Sequence, residues 1–599
     1  MYRKPVVSSN IKSLGYDKFR KKLEVEFKNG GVYRYKGVPK EVFNQINNAD
    51  SKGKFLNKEI KYNFPYRKYK DGNGDLVLGK WRKLDKPEPK EIEKEAALKP
   101  DVVLRPHQQK VVDNPATSQI IAHGVGSGKT LTGIAKFEKM KERGDANRAL
   151  VVVPSGLRDN FGGSGVKKFT DSTYNIIGNQ QEIRNKTYNT ANPNSDYNIM
   201  SYEMYRKNPE KVIKNIGADT LIFDEAQKSK NEGTLTTDAM KRARHLYKNH
   251  IGLTGSLISN SISDVHPLVD VMTDGKHNLG ENKDEFIEKN LVRSNSNLYK
   301  KMNKKRIPIV GFRNPQALGK ELSQYVDFLD YDDLKSIADM PDKKVSVSKV
   351  PLSKEQAKIY RGILKKNKDI RKMITMKRLE TLKDDEAARS FSSLAEARKL
   401  MNSVGSIKPG ISLTESSKIT PKTSKLLDDL DEHLRTTPDG QAVLLTNLVR
   451  GGTDVLEAGL KDRGIPYGTF MGKGNKGVTE ASRQADVQDY LKRKKRVMVV
   501  SPAGSEGLSL DNTTWEGVLD PHYNPERMNQ MEARGIRAGG LKGRDDRTVN
   551  VNRYLATMPK QFGFIKSPYK TPDEFIYEIA QNKERQNQML YNLLKKSRK

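Results

Sequence analysis

The sequence predicts an α/β protein built from two parallel-sheet lobes with helical insertions, preceded by a small α+β domain. Two stretches, residues 101–256 and 442–537, alternate short apolar runs with segments of helical periodicity, as the strands and covering helices of parallel sheets do. Near the N-terminus, Leu23, Val25 and Phe27 instead alternate with charged residues before an Asn-Gly-Gly turn, which predicts an antiparallel hairpin. The expected divisions are a small domain at 1–66, a linker at 67–100, lobes at 101–345 and 346–562, and a C-terminal helix at 563–599.

The amino-acid composition limits the classes of protein to which the chain can belong. A chain of 599 residues has room for several domains, at roughly 100 to 200 residues each. Its 109 Lys and Arg against 74 Asp and Glu give a net charge of +35, which predicts a polyanionic partner, usually nucleic acid. A solvated basic surface is the alternative. The absence of cysteine excludes disulfides, zinc ribbons and thiolate chemistry.

Hydropathy gives no sign of a membrane or export segment. No apolar run approaches the roughly 20 residues that cross a bilayer. Met1–Asn10 lacks the apolar core of a signal peptide. We therefore expect no membrane partner and a cytoplasmic location.

The N-terminal domain continues from the hairpin into a helix. Val32–Tyr35 has the pattern of the returning strand, and Pro39 opens a segment with apolar residues at helical spacing. The strings S-S-N-I-K-S-L-G-Y-D, V-Y-R-Y-K-G-V-P and S-K-G-K-F-L-N-K-E-I-K resemble the KTSC domain, a module found beside nucleic-acid enzymes. The resemblance implies a contact with nucleic acid or a further protein. Tyr33, Tyr35 and Phe55 either stack on bases or form the core, and the sequence leaves both open.

The stretch Ile120–Thr132, I-I-A-H-G-V-G-S-G-K-T-L-T, has the strand, glycine-rich turn and helix order of a phosphate-binding loop. Its glycines let backbone N–H groups turn toward an anion at the positive end of the helix dipole. Lys129 is expected to meet the terminal phosphates, and the Thr130 hydroxyl to take a position on Mg²⁺. The residues expected to bind nucleotide here are Gly126, Ser127, Gly128, Lys129 and Thr130.

Two adjacent carboxylates follow the apolar run 220–223, so a buried strand delivers Asp224 and Glu225 to the edge of the sheet. Asp224 is expected to hold Mg²⁺, and Glu225 to orient and deprotonate the attacking water. An acidic surface turn is the alternative interpretation. Gln108 precedes the phosphate loop at a distance suited to a contact with an adenine edge.

Loops with hydroxyl or basic residues recur after the strands of the first lobe. Ser155 and Arg158 follow the apolar run 149–154, and Ser201 closes the next one. Such loops at the carboxyl edge of a parallel sheet bind ligands.

The second lobe offers cationic groups that could complete a nucleotide site. Arg534 and Arg537 are three residues apart, which predicts one helix face, and their guanidinium groups are expected to reach the γ-phosphate across the cleft. Such arginines make hydrolysis conditional on closure, because the transition-state charge is neutralised only when the lobes meet. A surface arginine pair is the alternative. A basic, irregular insertion is expected at 284–351, and long polar helices at 356–401.

Together these motifs resemble those of superfamily-two helicase-like ATPases, closest to the Swi/Snf-like translocase branch. The matching strings are D-E-A-Q from Asp224, L-T-G-S from Leu253, S-P-A-G-S-E-G-L-S-L from Ser501 and Q-M-E-A-R-G-I-R from Gln530. The resemblance implies two tandem RecA-like lobes, ATP and Mg²⁺ as cofactors, and a C-terminal brace helix. It also implies nucleotide contacts at Gly504 and Gln530 and DNA contacts at Ser155, Arg158, Ser201, Ser501 and Gly504. Thr571 predicts a cap before an acidic first turn of the brace helix, and the Lys-rich end of that helix is expected to fray.

The chain departs from that branch at a few positions. His123 and Gly124 stand where an acidic pair is usual, Gln227 replaces a His and Ser256 replaces a Thr. We expect these departures to affect the fine coupling to the nucleotide and to leave the ATPase core intact.

The leading hypothesis is an ATP-dependent translocase on double-stranded DNA, in which ATP closes the lobes and hydrolysis reopens them. One rival is a strand-separating helicase, and another is a non-catalytic DNA-binding or packaging scaffold with a degenerate ATPase fold. The intact set of catalytic residues argues against the scaffold. A KTSC-like module joined to such a motor, with Asn-rich and Lys-rich usage, resembles phage or mobile-element products. That resemblance implies a location in an infected bacterial host and leaves virion packaging open.

Overall fold

The computed structural model places the chain in two compact units, Met1–Glu95 and Ala96–Lys599. It describes residues 1–599 apart from 7, 9, 50, 62, 72–74, 78–79, 83–97, 179–193, 208, 211–215, 231–232, 259–260, 296–308, 376–393, 473–478, 502–507, 560–568 and 599.

The N-terminal unit is an antiparallel sheet with a helix packed on it. Its described strands, in sheet order, are β1 (Arg3–Pro5), β2 (Ile11–Asp17), β3 (Lys22–Phe27), β4 (Val32–Lys36) and β5 (Tyr66–Lys70). The helix Lys40–Asn48 buries Ile46, and a short helix Lys52–Phe55 continues as a π-helical turn over Leu56–Ile60. The α+β fold predicted for this region is confirmed.

The structure adds two details to the sequence predictions for this unit. Most of β5 lies in the predicted linker, and this strand pairs with β4; the Tyr69 ring also packs under the Arg34 guanidinium, 3.3 Å from ring centroid to Cζ. Of the aromatic residues for which the sequence left both roles open, Tyr35 is buried in the core, and the half-buried Tyr33 ring lies 5.6 Å from Phe27. Tyr35 therefore stabilises the sheet and is not free to stack on bases.

The second unit contains two parallel sheets, of which the first carries the phosphate-loop motif. In the part of the chain that the structure describes, its order is β14-β6-β11-β10-β7-β9-β8. The strands are β6 (Ser118–His123), β7 (Ala149–Val153), β8 (Tyr174–Ile176), β9 (Tyr197–Ser201), β10 (Thr220–Asp224), β11 (Asn249–Thr254) and β14 (Val326–Leu329).

Both faces of the first sheet are covered by hydrophobic cores. Successive strand residues point to opposite faces, so Ile121 and Ile222 belong to one core while Ile120 and Phe223 belong to the other. The covering helices are Pro106–Asp113, Lys129–Glu142, Lys167–Phe169, Tyr202–Tyr205, Leu235–Ala243, Val265–Met272, Lys283–Asn290 and Pro315–Tyr325. The helix Tyr331–Ile337 instead buries Leu334 in a core of the other parallel sheet.

The second parallel sheet has the order β15-β20-β19-β16-β18-β17 among the described residues. Its strands are β15 (Asp342–Pro351), β16 (Gln441–Leu445), β17 (Tyr467–Phe470), β18 (Val497–Val500), β19 (Thr513–Val518) and β20 (Thr548–Thr557). The helices around it are Lys354–Lys366, Lys368–Thr375, Leu413–Ile419, Pro421–Thr436, Asp454–Asp462, Glu480–Leu491 and Pro525–Glu532. Two tandem RecA-like lobes, as predicted, make up this unit.

The region 284–351 is more ordered than its composition predicts. It holds the antiparallel pair β12 (Leu291–Arg293) and β13 (Ile309–Phe312), and then β14, which joins the first sheet beside β6. β15 joins the second sheet beside β20. The prediction of an irregular insertion is therefore wrong for these strands, while its basic residues between 300 and 306 lie outside the described residues.

The C-terminal helix Pro572–Ser597 packs on both sheets. Thr571 caps it and forms a capping box with Glu574, as the sequence predicts. Phe575 and Ile576 join a core of the second sheet, whereas Leu590 and Leu594 join a core of the first. The predicted fraying is wrong, because these buried leucines hold the last turns.

A buried ion pair anchors the start of this helix. Lys422 Nζ lies 2.5 Å from Asp573 Oδ2, and both side chains are almost fully buried. Lys422→Ala leaves the Asp573 carboxyl without its cation and should reduce the unfolding free energy by about 3–5 kcal/mol. Thermal unfolding midpoints of wild type and variant measure the loss. Lys425→Ala, which removes an exposed pair with Asp429 on the same helix, should change the midpoint little; equal midpoints for both variants would contradict the assignment.

Candidate functional site

The phosphate-loop motif connects β6 to the helix Lys129–Glu142. Gly126 and Gly128 have φ of 86° and 84°, the left-handed region that favours glycine. A Cβ on Gly128 would lie 2.8 Å from the Gln108 Nε2 atom. The loop thus packs tightly against Gln108. A long helix begins at Lys129, and its N-terminus favours the binding of an anion.

Two side chains from the helix Pro106–Asp113 hold this loop from behind. A ring nitrogen of His107, Nε2, lies 3.0 Å from the Ser127 carbonyl oxygen. Gln108 donates through Nε2 to the Gly128 carbonyl at 3.3 Å, and its Oε1 accepts from the Arg105 N–H at 2.9 Å. Both polar ends of Gln108 are therefore engaged within the chain. Gln108 thus supports the loop here, and its contact with an adenine edge stays a prediction.

Lys129 lies over the loop that precedes it. Its ammonium donates to the carbonyl oxygens of His123 and Gly124, at 3.0 and 3.2 Å. Burial lowers the pKa of Lys129, and the neighbouring Glu225 and Asp224 carboxylates oppose that shift. The cation thus stands in a poorly solvated cleft, close to the predicted acidic pair.

The acidic pair sits at the carboxyl end of β10, as its sequence position predicts. Asp224 is 8% exposed, and its Oδ1 accepts from the Glu225 N–H at 3.1 Å. Glu225 adopts φ 55° and ψ 49°, a left-handed conformation that costs a non-glycine residue about 1–3 kcal/mol. This strain turns the chain sharply so that both carboxylates remain at the sheet edge.

Gln227 links this pair to the neighbouring strand, a role that the sequence did not indicate. Its Nε2 donates to Glu225 Oε2 at 2.5 Å, and its Oε1 accepts from the Thr254 hydroxyl at 2.6 Å. Gln227 therefore fills the place of the usual His with a group that both donates and accepts. It ties Glu225 to the end of β11.

His123, the departure in the phosphate-loop pattern, has a structural partner. Its Nε2 lies 2.7 Å from Asp327 Oδ1 on β14, and the ring is fully buried. Burial lowers the pKa of His123, while the carboxylate opposes the shift. The residue thus joins β6 to β14 at the start of the loop. Asp327 is too distant in the chain for this pair to be predicted locally.

The second sheet contributes a loop of arginines. The helix Pro525–Glu532 ends before Arg534, so Arg534 and Arg537 lie in the following loop and not on a helix face as predicted. Arg534 is 7% exposed, and the Arg537 Nη2 donates to the Leu508 carbonyl at 2.5 Å. Burial, with the nearby Arg534 charge, lowers the pKa of Arg537 to about 10. Two guanidinium groups are therefore brought together with little water.

The arginine loop touches the phosphate loop. A Cβ on Gly126 would lie 3.1 Å from the Ile536 carbonyl oxygen and 3.2 Å from the Arg537 Cα. The Ala538 N–H donates to the Gly126 carbonyl at 3.4 Å. The Arg537 charge also contributes to the lowered pKa of Lys129. The two loops are thus in contact across the cleft, and the approach of Arg537 to the γ-phosphate stays a prediction.

A cavity of about 220 Å³ adjoins this contact. Its lining includes Gly124, Gly255, Glu526, Glu584 and Tyr591. The Tyr591 hydroxyl lies 3.2 Å from the Ser256 hydroxyl, so the C-terminal helix reaches the L-T-G-S segment directly.

The remaining predicted site residues have mixed placements. Ser155 is exposed after β7, but the Ser201 hydroxyl is buried and caps the helix Tyr202–Tyr205. Arg158 donates to the carbonyl oxygens of Ile177 and Gly178. The Ser201 and Arg158 side chains thus serve the fold here. Ser501 is buried after β18, Gln530 is half-buried on the helix Pro525–Glu532, and Gly504 lies outside the described residues.

The two residues predicted to hold a divalent cation both follow strands of the first sheet. Thr130 lies in the first turn of the helix Lys129–Glu142, and Asp224 ends β10. No cluster of three His, Asp or Glu side chains that could hold a metal occurs in the described part of the chain. Such a site suits Mg²⁺, which binds through one or two protein groups and completes its shell with phosphates and water.

Family models match most of the chain. The SNF2-related domain matches residues 107–406, the helicase conserved C-terminal domain matches 425–539, and the KTSC domain matches 7–64. No described helix combines the length and apolar character needed to span a bilayer.

Individual relatives agree with these matches. The chain is similar to the ISWI chromatin-remodeling complex ATPase CHR17 of Arabidopsis thaliana, with 24% identity over 75% of this chain and 39% of that protein. It is similar to the ATP-dependent helicase YqhH of Bacillus subtilis, with 23% identity over 74% of each chain. The chain spans 38 to 40% of the length of the plant relatives that it matches. A Sulfolobus solfataricus SWI2/SNF2 ATPase core in complex with dsDNA has 20% identity and a TM-score of 0.35, over 76% of this chain and 88% of that one.

Glu526 gives the cleft a measurable pH dependence. Burial, reinforced by the Glu584 carboxylate, raises the pKa of Glu526 to about 8, against the opposing hydrogen bond of Ser256. The folded chain therefore holds a proton that the unfolded chain releases near its ordinary pKa, so stability falls as pH rises from about 4.5 to about 8. Glu526→Gln should remove at least about 1 kcal/mol of that loss. Unfolding midpoints across this pH range measure it.

Glu415→Gln is the matched control, since Glu415 is exposed. It should leave the pH profile of wild type unchanged. An unaltered profile for Glu526→Gln as well would show that Glu526 ionises normally in the folded chain.

Proposed function

Because the chain belongs to the SNF2-related family of helicase-like ATPases, we propose that it couples ATP hydrolysis to movement along double-stranded DNA. The chain is an ATPase of helicase superfamily two, with the helicase C-terminal domain following the SNF2-related domain.

The contact between the phosphate loop and the arginine loop carries the proposal. ATP enters where Lys129 now lies, and the ammonium moves from the His123 and Gly124 carbonyls to the terminal phosphates. Arg537, whose Cα already lies beside this loop, then turns its guanidinium group from the Leu508 carbonyl toward the γ-phosphate. Neutralising the transition-state charge this way requires both sheets to be in place.

Glu225 and Gln227 prepare the attacking water. Glu225 takes a proton from the water, and Gln227 holds the carboxylate in position through its bond to Thr254. Thr130 and Asp224 would hold Mg²⁺, which would supply charge neutralisation at the phosphates. Since Gln227 spans β10 and β11, any shift of the L-T-G-S segment alters the orientation of Glu225.

Duplex DNA is the track that charge and relatives favour. The chain carries a net charge of +35, which suits a polyanion. The Arabidopsis relative is named as a chromatin-remodeling ATPase and the Bacillus relative as a helicase. The exposed Ser155 loop at the carboxyl edge of the first sheet is a DNA contact in this proposal.

Phosphate release with and without duplex DNA tests the catalytic roles. Lys129→Ala should abolish DNA-stimulated release, and Arg537→Ala should lower kcat by about 10³-fold or more, because an arginine at the γ-phosphate acts mainly in the transition state. Lys139→Ala, at an exposed site on the same helix as Lys129, should retain the wild-type rate. A wild-type rate for Arg537→Ala would refute the proposed mechanism, and so would phosphate release by wild type that does not depend on DNA.

Displacement assays separate a translocase from a helicase. The wild-type chain should release a third strand from a triplex in the presence of ATP, because movement along the duplex pushes that strand off. It should leave a forked duplex paired. Lys129→Ala should displace neither the third strand of the triplex nor a strand of the fork. Efficient strand separation of the fork would favour the helicase, and failure in both assays despite ATP turnover would favour the scaffold.

A further inference from the structure

An aromatic side chain is exposed to solvent at the tip of the β2–β3 hairpin in the N-terminal unit. The Phe19 side chain is 96% exposed, although a phenylalanine normally buries its ring. The core of this domain does not use it, since that core is built from other residues, including Ile11, Leu23 and Tyr35. A fully exposed aromatic ring on an otherwise well-packed domain indicates a binding partner.

The tip is held firmly by hydrogen bonds. Asp17 Oδ1 accepts from the N–H groups of both Phe19 and Arg20, at 3.0 Å each. Lys21 turns the chain with φ 47°, and its carbonyl oxygen accepts from the N–H groups of Gly37 and Val38 at 2.8 and 2.9 Å. The Phe19 ring is therefore presented by a defined turn.

Positive charges surround this ring. Lys18, Arg20 and Lys21 are exposed, and Lys22 lies directly opposite Lys36 in the sheet register, where like charges oppose folding. Among the described residues, no ion pair involves any of these five cations. The other basic residues of the sheet include Arg3, Lys12 and Arg34, which bind Glu24 and Glu26.

A second exposed aromatic lies at the same end of the sheet. Tyr2 is 83% exposed and directly precedes Arg3, which pairs with Gly15 two residues before the turn begins. The Tyr2 carbonyl oxygen would lie 2.8 Å from a Cβ on Gly15. The end of the sheet thus combines two solvated rings with a cluster of cations, here called the aromatic tip (Tyr2, Lys18–Lys22 and Lys36).

We propose that the aromatic tip binds single-stranded nucleic acid, with Phe19 stacking on a base and the surrounding cations binding the backbone phosphates. Aromatic faces beside a positive surface are how single strands are bound without sequence readout. Phe19 can stack only on the exposed face of an unstacked base, so we expect the aromatic tip to bind single strands more tightly than duplex DNA. This goes beyond the proposed function, because the site lies outside the ATPase and needs no nucleotide turnover.

An anionic membrane is the competing partner for a basic tip with an aromatic residue. Membrane anchoring depends on a broad apolar face. Here the residues on either side of Phe19 are charged, so the Phe19 and Tyr2 rings would enter the bilayer without an apolar face around them. The observations therefore favour stacking on a base.

The test uses the full chain without nucleotide. Binding by fluorescence anisotropy is compared for a blunt duplex and for the same duplex with an oligothymidine tail. Wild type should bind the tailed duplex more tightly, and Phe19→Ala should weaken that binding by roughly 5- to 100-fold, with little change for the blunt duplex. Phe19→Trp should retain the preference, with its fluorescence quenched by the tail. Leu76→Ala, at another exposed apolar residue of this unit, should match wild type.

Charge reversals test the phosphate contacts. Arg20→Glu should reduce both the affinity for the tail and the salt dependence, by about one phosphate contact. Lys28→Glu makes the same charge change at an exposed residue in the β3–β4 turn, at the opposite end of the sheet, and should have little effect.

Three results would overturn the proposal: an unchanged tail preference in Phe19→Ala, equal losses in Arg20→Glu and Lys28→Glu, or a Phe19→Ala chain that loses binding to phosphatidylserine vesicles and keeps the tail preference. Phosphate release stimulated by the blunt duplex is measured on the same proteins. It should be the same in wild type and Phe19→Ala. A wild type that shows no stimulation refutes the motor but leaves the tail preference as a separate result.

Discussion

The backbone of Gly126 accepts the close approach of Ile536 and Arg537, and the candidate site depends on this one contact. A side chain at this position would meet both the left-handed backbone and the facing loop. The contact brings a loop of the first sheet against a loop of the second. Only in that arrangement do the ammonium of Lys129, the acidic pair and a guanidinium group share one poorly solvated cleft.

Much of the remaining fold of this unit supports that contact. The C-terminal helix buries Phe575 in the core of one sheet and Leu590 in the core of the other. Tyr591 on the same helix reaches Ser256, and the buried Lys422–Asp573 pair anchors its first turn. The helix therefore couples the spacing of the lobes to the segment that, through Thr254 and Gln227, orients Glu225.

The sequence predicts the parts of the site that local chemistry determines. Glycines before Lys129 and carboxylates after a buried strand indicate a phosphate loop and its acidic partners from neighbouring residues alone, and the cap at Thr571 follows from its own hydroxyl. Pairings between distant segments escape such reasoning. His123 with Asp327, and β14 with β6, join residues about two hundred positions apart. The loop position of the arginines was also not predicted. Their spacing of three indicated a helix, whereas the helix before them ends at Glu532.

The arginine loop can be examined most directly in a structure of the chain bound to ADP, Mg²⁺ and aluminium fluoride. We expect that the Arg537 guanidinium leaves the Leu508 carbonyl and donates to the fluoride group, while Lys129 leaves the carbonyls of His123 and Gly124. A complex in which the analogue is bound and Arg537 still contacts Leu508, with no guanidinium group of the second lobe near the fluoride, would contradict it.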